Sequence, residues 1–126
     1  MGEVFKTDRA CDIGGVRVLE CSIDGPTLAR AGDVSDYIGA AWEHQAALVA
    51  IPVERLAADF FHLRTGLAGE AIQKFVNYRI RLAVVGDIAR FVEASGPLRD
   101  FVTESNRGEH VWFVADMDAL RDRLTL

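Results

Sequence analysis

Residues 59–87 read DFFHLRTGLAGEAIQKFVNYRIRLAVVGD, and their pattern decides the fold. They predict a loop, a helix and a strand, in that order. The loop ends in Thr65-Gly66. The helix covers about 67–78, because Ala68, Ala71, Ile72, Phe75 and Val76 form one stripe while Glu70, Gln73, Lys74 and Asn77 face away. The strand, 80–85, is a largely apolar run that stops at Gly86-Asp87. Short apolar strands alternating with amphipathic helices imply crossover connections and a mostly parallel sheet.

The flanks repeat the alternation. Toward the N-terminus, 3–6 reads as a short strand and 7–15 as a connection holding the turn signal Gly14-Gly15. A strand over 16–22 follows, and the two strands pair as a hairpin. Asp24-Gly25-Pro26 breaks the pattern, and a polar loop runs to Gly32. Asp33 is placed to cap a helix whose inner face carries Tyr37, Ile38, Ala41, Trp42 and Gln45. A buried strand over 48–51 is closed by Pro52, and a helical turn around 54–58 leads to Phe60-Phe61. Toward the C-terminus, Asp87 caps a short helix ending at Ala94. Ser95-Gly96-Pro97 opens another, with Leu98, Phe101, Val102 and Ser105 inward and Gly108 as a left-handed cap. A last strand over 111–115 and a helix capped by Asp116, with Leu120 and Leu124 on one side, complete the chain.

The expectation is therefore a single α/β domain over 1–126, with a mixed, mostly parallel sheet of four or five strands and four or five helices. Its predicted core is Ile38, Trp42, Leu48, Val49, Ile72, Phe75, Val76, Leu82, Val84, Phe101 and Val114. The 126 residues suit one domain. A net charge of -5 and a pI near 5.1 argue against nucleic-acid binding, which needs clustered Lys and Arg. No apolar run approaches the ~20 residues that span a bilayer, and the first residues lack signal-peptide character. These features point to a cytoplasmic protein. Cys11 and Cys21 have no CxxC partner or neighbouring His, and His44, His62 and His110 are far apart. No metal or cofactor is expected, and without a GxSxG elbow no hydrolase is implied.

Residues 59–87, with LRDFVTESNRG and VWFV beyond them, resemble a bacterial family named as domain of unknown function 4180, over roughly 16–126. The residues that carry the resemblance include Phe60-Phe61, 65–70, Gln73-Lys74-Phe75, Asn77-Tyr78, Val85-Gly86-Asp87 and 104–108. A looser similarity is to STAS domains, the fold of anti-sigma factor antagonists. Their Asp-Ser-Ser-Gly-Leu type motif opens the helix after the third strand. Thr65-Gly66-Leu67 matches its last three positions, which puts Thr65 on the phosphoacceptor position. Leu63 and Arg64 depart from the motif.

Each candidate also has a structural reading. Thr65 is suited to cap its helix. The resemblance adds a phosphoacceptor role, with Gly66 beside it and Arg64 placed to hold a phosphate. Of Phe60 and Phe61, one ring is expected in the core and the other outside as a partner anchor. Asp87 stands at the carboxyl end of the central strand, where open α/β sheets often place ligands, and it is equally a helix cap. Asn106 and Arg107 end a helix, either as a solvated face or as ligand or partner contacts. The first functional expectation is a non-enzymatic regulatory module that meets a protein partner through the Thr65 loop and the following helix. The alternatives are a small-ligand-binding domain or an enzyme with a pocket near Thr65 and Asp87, and a homodimer subunit.

Overall fold

The computed structural model describes residues 7–126. Its regular elements are β1 (Arg9–Ile13), β2 (Val16–Glu20), α1 (Val34–Glu43), β3 (Leu48–Pro52), α2 (Leu67–Asn77), β4 (Arg81–Val85), α3 (Ala89–Ala94), α4 (Gly96–Arg107), β5 (Val111–Val114) and α5 (Met117–Thr125). The five strands lie in the order β1-β2-β3-β4-β5. β1 is antiparallel to β2, and the remaining pairs are parallel.

The expected strand over 3–6 lies outside the described residues. The expected connection, 7–15, instead contains β1. Gly14 and Gly15 have φ of +56° and +81°, and Ile13 pairs with Val16. A two-residue turn with both φ positive matches the twist of a hairpin and fixes its register, so the strand abuts the glycines directly.

Because the parallel strands follow one another in space, their right-handed crossovers place α1, α2, α3 and α4 on one face. Alternate strand residues serve the two faces. Leu19, Val49, Ile51, Leu82, Val84 and Phe113 pack toward α1–α4 with Phe75, Phe60 and Phe61. Val18, Leu48, Ala50, Ala83, Trp112 and Val114 form a smaller core with Leu120 of α5. The guanidinium groups of Arg81 and Arg123 lie over the Trp112 ring, 4.5 and 4.1 Å from its centre.

Of the predicted core, Ile38, Leu48, Val49, Phe75, Leu82, Val84 and Val114 are buried, and Ile72, Val76 and Phe101 are half-buried. Trp42 is not core, being 59% exposed. Ala41 and Ile38 fill the sheet-facing side of α1. Trp42 falls at the margin of that arc, where it meets Tyr78 edge-on at 5.4 Å. Three capping expectations also change. Asp87 stands one residue before the N-cap of α3, which is Ile88 and makes no side-chain cap bond. Asp33 accepts from the Ala29 and Arg30 N–H groups of the preceding turn, which hold its carboxyl below the usual range. Its side chain makes no cap bond to α1. Gly108 has φ -92° and ψ -164°, extended rather than left-handed, since the chain passes almost directly into β5. Asp116 caps α5 as its position predicts, and Ser95, within the punctuating Ser95-Gly96-Pro97, turns out to cap α4. Among the described residues, no helix is long and apolar enough to cross a membrane.

Candidate functional site

The ends of β4 and β5 send the chain in opposite directions. β4 continues into α3, on the face that α1 and α2 cover, whereas β5 continues into α5 on the other face. The carboxyl ends of the strands are where open α/β sheets often place ligands, although the order β1-β2-β3-β4-β5 has no reversal to mark one position among them. Gly86 and Ala115 stand at the parting and line a groove on each side.

On the α3–α4 side the groove has a volume of ≈ 370 Å³. Ile88, Val92, Val102 and Phe113 make it apolar, and Asp87, Arg99 and Thr103 supply its charged and hydroxyl groups. Asp87 Oδ1 accepts from the Ala89 N–H at 2.9 Å. Arg99 Nη2 donates to the Val92 carbonyl at 3.3 Å, bridging α4 to α3. Thr103 Oγ1 donates to the Arg99 carbonyl, one helical turn back. Asp87 and Arg99 do not pair with each other, so a carboxylate and a guanidinium both line the groove. No hydrogen bond links the Thr103 hydroxyl to the Asp87 carboxylate.

On the α5 side a groove of ≈ 380 Å³ runs over Ala50, Pro52, Val85 and Met117, with Glu20, Glu54 and Asp116 also lining it. Gly86 holds the two halves close. Its φ is +141°, and a Cβ there would lie 2.7 Å from Val53 Cγ2. Glycine alone lets the turn after β3 approach so tightly.

The Thr65 corner lies at the start of α2 and is not part of the Asp87 groove. Thr65 and Arg64 are exposed. The Thr65 hydroxyl is within donating distance of the Asp59 and His62 carbonyls, at 2.7 and 2.9 Å, and accepts from the Leu67 N–H at 3.3 Å. It thus staples the loop and touches the first turn, while Gly66, with φ +77°, occupies the cap position itself. Neither Phe60 nor Phe61 is left outside. They are 1% and 2% exposed, and Phe61 stacks on Phe91 of α3 at 4.4 Å. A short 3-10 turn, Ala58–Phe61, gives successive residues different directions, and both directions here lead into the core.

Asn106 is structural. It accepts from the Phe113 N–H at 2.7 Å and donates to the Phe113 carbonyl at 3.3 Å, a side-chain substitute for a neighbouring strand that closes the β5 edge. Arg107 pairs with Glu104 at 2.8 Å on the surface. Arg99 and Thr103 escaped the sequence reading, although their four-residue spacing puts them on one face of α4.

Sequence reasoning also missed a buried ionic cluster near the carboxyl end of β2. Arg55 Nη1 meets Asp8 Oδ1 and Oδ2 at 2.8 and 3.0 Å and the Ser22 carbonyl at 3.1 Å, and Arg55 Nε donates to the Pro26 carbonyl at 2.9 Å. Tyr37 donates to the same carbonyl at 2.6 Å. Burial pushes the Tyr37 phenol up to about 12. Burial, with Asp8 adding to it, raises the Cys21 thiol far above its ordinary range, which keeps it protonated and unreactive.

The model of the family described as Domain of unknown function (DUF4180) matches residues 13–124, nearly the whole chain and all of both grooves. No curated protein and no solved structure matches it.

Proposed function

We propose, for a chain that belongs to the DUF4180 family, that it is a non-enzymatic small-ligand-binding domain of the bacterial cytoplasm. The ligand lies in the crevice between α3 and α4, beyond the ends of β4 and β5. The observation that carries this reading is the apolar groove of ≈ 370 Å³ at the carboxyl ends of these two strands. That volume and lining are typical of sites for small, mainly apolar molecules oriented by a few polar groups. Asp87, Arg99 and Thr103 provide those groups. The absence of a hydrogen bond between the Thr103 hydroxyl and the Asp87 carboxylate favours binding over chemistry.

A fragment screen against the full chain tests the reading. Fragments should bind, and Val102→Trp, which fills the groove from α4, should lower their affinity at least about tenfold with little change in melting temperature. Unchanged affinity in that variant would count against the crevice.

A second reading rests on the exposure of Arg64 and Thr65 at a helix start. In it, the corner is a STAS-like regulatory contact with a protein partner, gated by phosphorylation of Thr65. A phosphate would add roughly -1.5 to -2 charge near the Asp59 and His62 carbonyls, so Thr65→Glu should loosen this loop as well as alter binding. Thr65→Ala should cost about 1 kcal/mol by thermal melting. If Thr65→Glu leaves both melting temperature and partner capture unchanged, the corner is not a switch.

A further inference from the structure

The end of the sheet opposite the crevice carries a separate pocket. It has a volume of ≈ 270 Å³ and lies where α2 gives way to β4 and the chain enters β5, between Val76, Arg79, Ile80, Arg81, Glu109 and His110. Arg81 is held in place there. Its Nε donates to the Glu109 carbonyl at 2.8 Å, and its guanidinium lies over the Trp112 ring. Its two Nη groups have no hydrogen bond or ion pair among the described residues, and the Arg79 guanidinium has none either. The backbone of Arg79 is a separate observation. Its φ is +58°, in the left-handed region, just past a helix end where glycine is the usual residue. The turn is closed by main-chain bonds alone, from the Arg79 N–H to the Val76 carbonyl and from the Ile80 N–H to the Phe75 carbonyl. An arginine is thus kept at a conformational cost in a turn that does not use its side chain, and such outliers point to function.

We infer that this pocket binds the phosphate group of a small phosphate monoester. Guanidinium forks take phosphate through paired N–H···O bonds. A tetrahedral phosphate presents more than one oxygen edge, so it can engage both arginines at once, whereas a planar carboxylate offers one edge to one fork. His110 adds a ring N–H donor, and Val76 and Ile80 give the organic part an apolar wall. The volume lies below the usual range for drug-sized ligands, which suits a small ester. The chain as a whole carries a charge of -5, so attraction of an anion has to come from this local pair of cations. Glu109 supplies the one opposing charge in the lining. Its carbonyl positions Arg81, while its carboxylate works against the ligand.

Calorimetry and amide chemical-shift mapping of the full chain with phenyl phosphate and with inorganic phosphate, at fixed ionic strength, test this. Phenyl phosphate should bind saturably, more tightly than inorganic phosphate, and should perturb 76–81 and 109–110. Arg79→Gly should weaken it at least about tenfold. Glycine adopts the left-handed conformation without penalty, so the melting temperature of this variant should hold or rise, which separates lost contact from lost folding. Arg81→Lys keeps the charge and loses the fork, and it should weaken binding too. Glu109→Gln should tighten it. Absence of saturable binding in the pocket at millimolar phenyl phosphate overturns the inference, as does an affinity unchanged by Arg79→Gly and Glu109→Gln. Equal affinity for inorganic phosphate overturns the assignment to an ester.

Discussion

Arg55→Met should lower unfolding free energy by about 3–5 kcal/mol, the range for removing one partner of a buried ion pair. The side chains of Arg55 and Asp8 are 1% and 0% exposed. The methionine would fill part of the volume and leave the Asp8 carboxylate without the guanidinium that it meets through both oxygens. The Ser22 carbonyl would lose a donor as well. Urea denaturation of the full chain checks the size of the loss. A second replacement, Asp8→Leu in the Arg55→Met background, should recover much of it, because replacing both members of a buried pair by apolar groups is often close to neutral. A single-variant loss under about 1 kcal/mol would mean that the pair is solvated.

Phe75→Ala should cost about 3–5 kcal/mol through lost burial and the cavity left behind. Phe75 is fully buried, in the middle of the α2 face that packs on the sheet beside Leu82 and Val84. Thermal and urea melts should both register the loss without a change in secondary structure at low temperature. A cost below about 1 kcal/mol would show that α2 packs on a different face.

The parts of this molecule that follow from local pattern were readable in the chain. Helix α2 and strand β4 lie almost where the periodicity of 67–85 puts them, and Asp116 caps the helix it precedes. Failures arise where tertiary position overrides pattern. β1 has only weak alternation, and its identity comes from the hairpin turn that follows. Trp42 has the right helical spacing for the core but lies at the margin of the buried arc, where one residue decides between sheet and solvent. Arg55 carries no local sign of burial. Its partner Asp8 is 47 positions away, and nothing short of the fold brings them together.

The same applies to the site. Asp87 was legible as a residue at the end of the central strand. The groove beside it is assembled from the turn after β4, α3, α4 and the end of β5, segments that no single stretch of sequence brings together. Arg99 and Thr103 join it only because α4 packs back along α3. Thr65 was legible as a helix-start residue, but the two carbonyls within reach of its hydroxyl come from a loop whose path the sequence does not specify.

Amide chemical-shift mapping of the full chain with its tightest-binding fragment tests the crevice most directly. Perturbations should cluster at 86–92, 99–103 and 113–115, the segments that line the groove between α3 and α4. Perturbations confined to the Thr65 corner, to the Trp42–Tyr78 face or to any other surface would contradict the account.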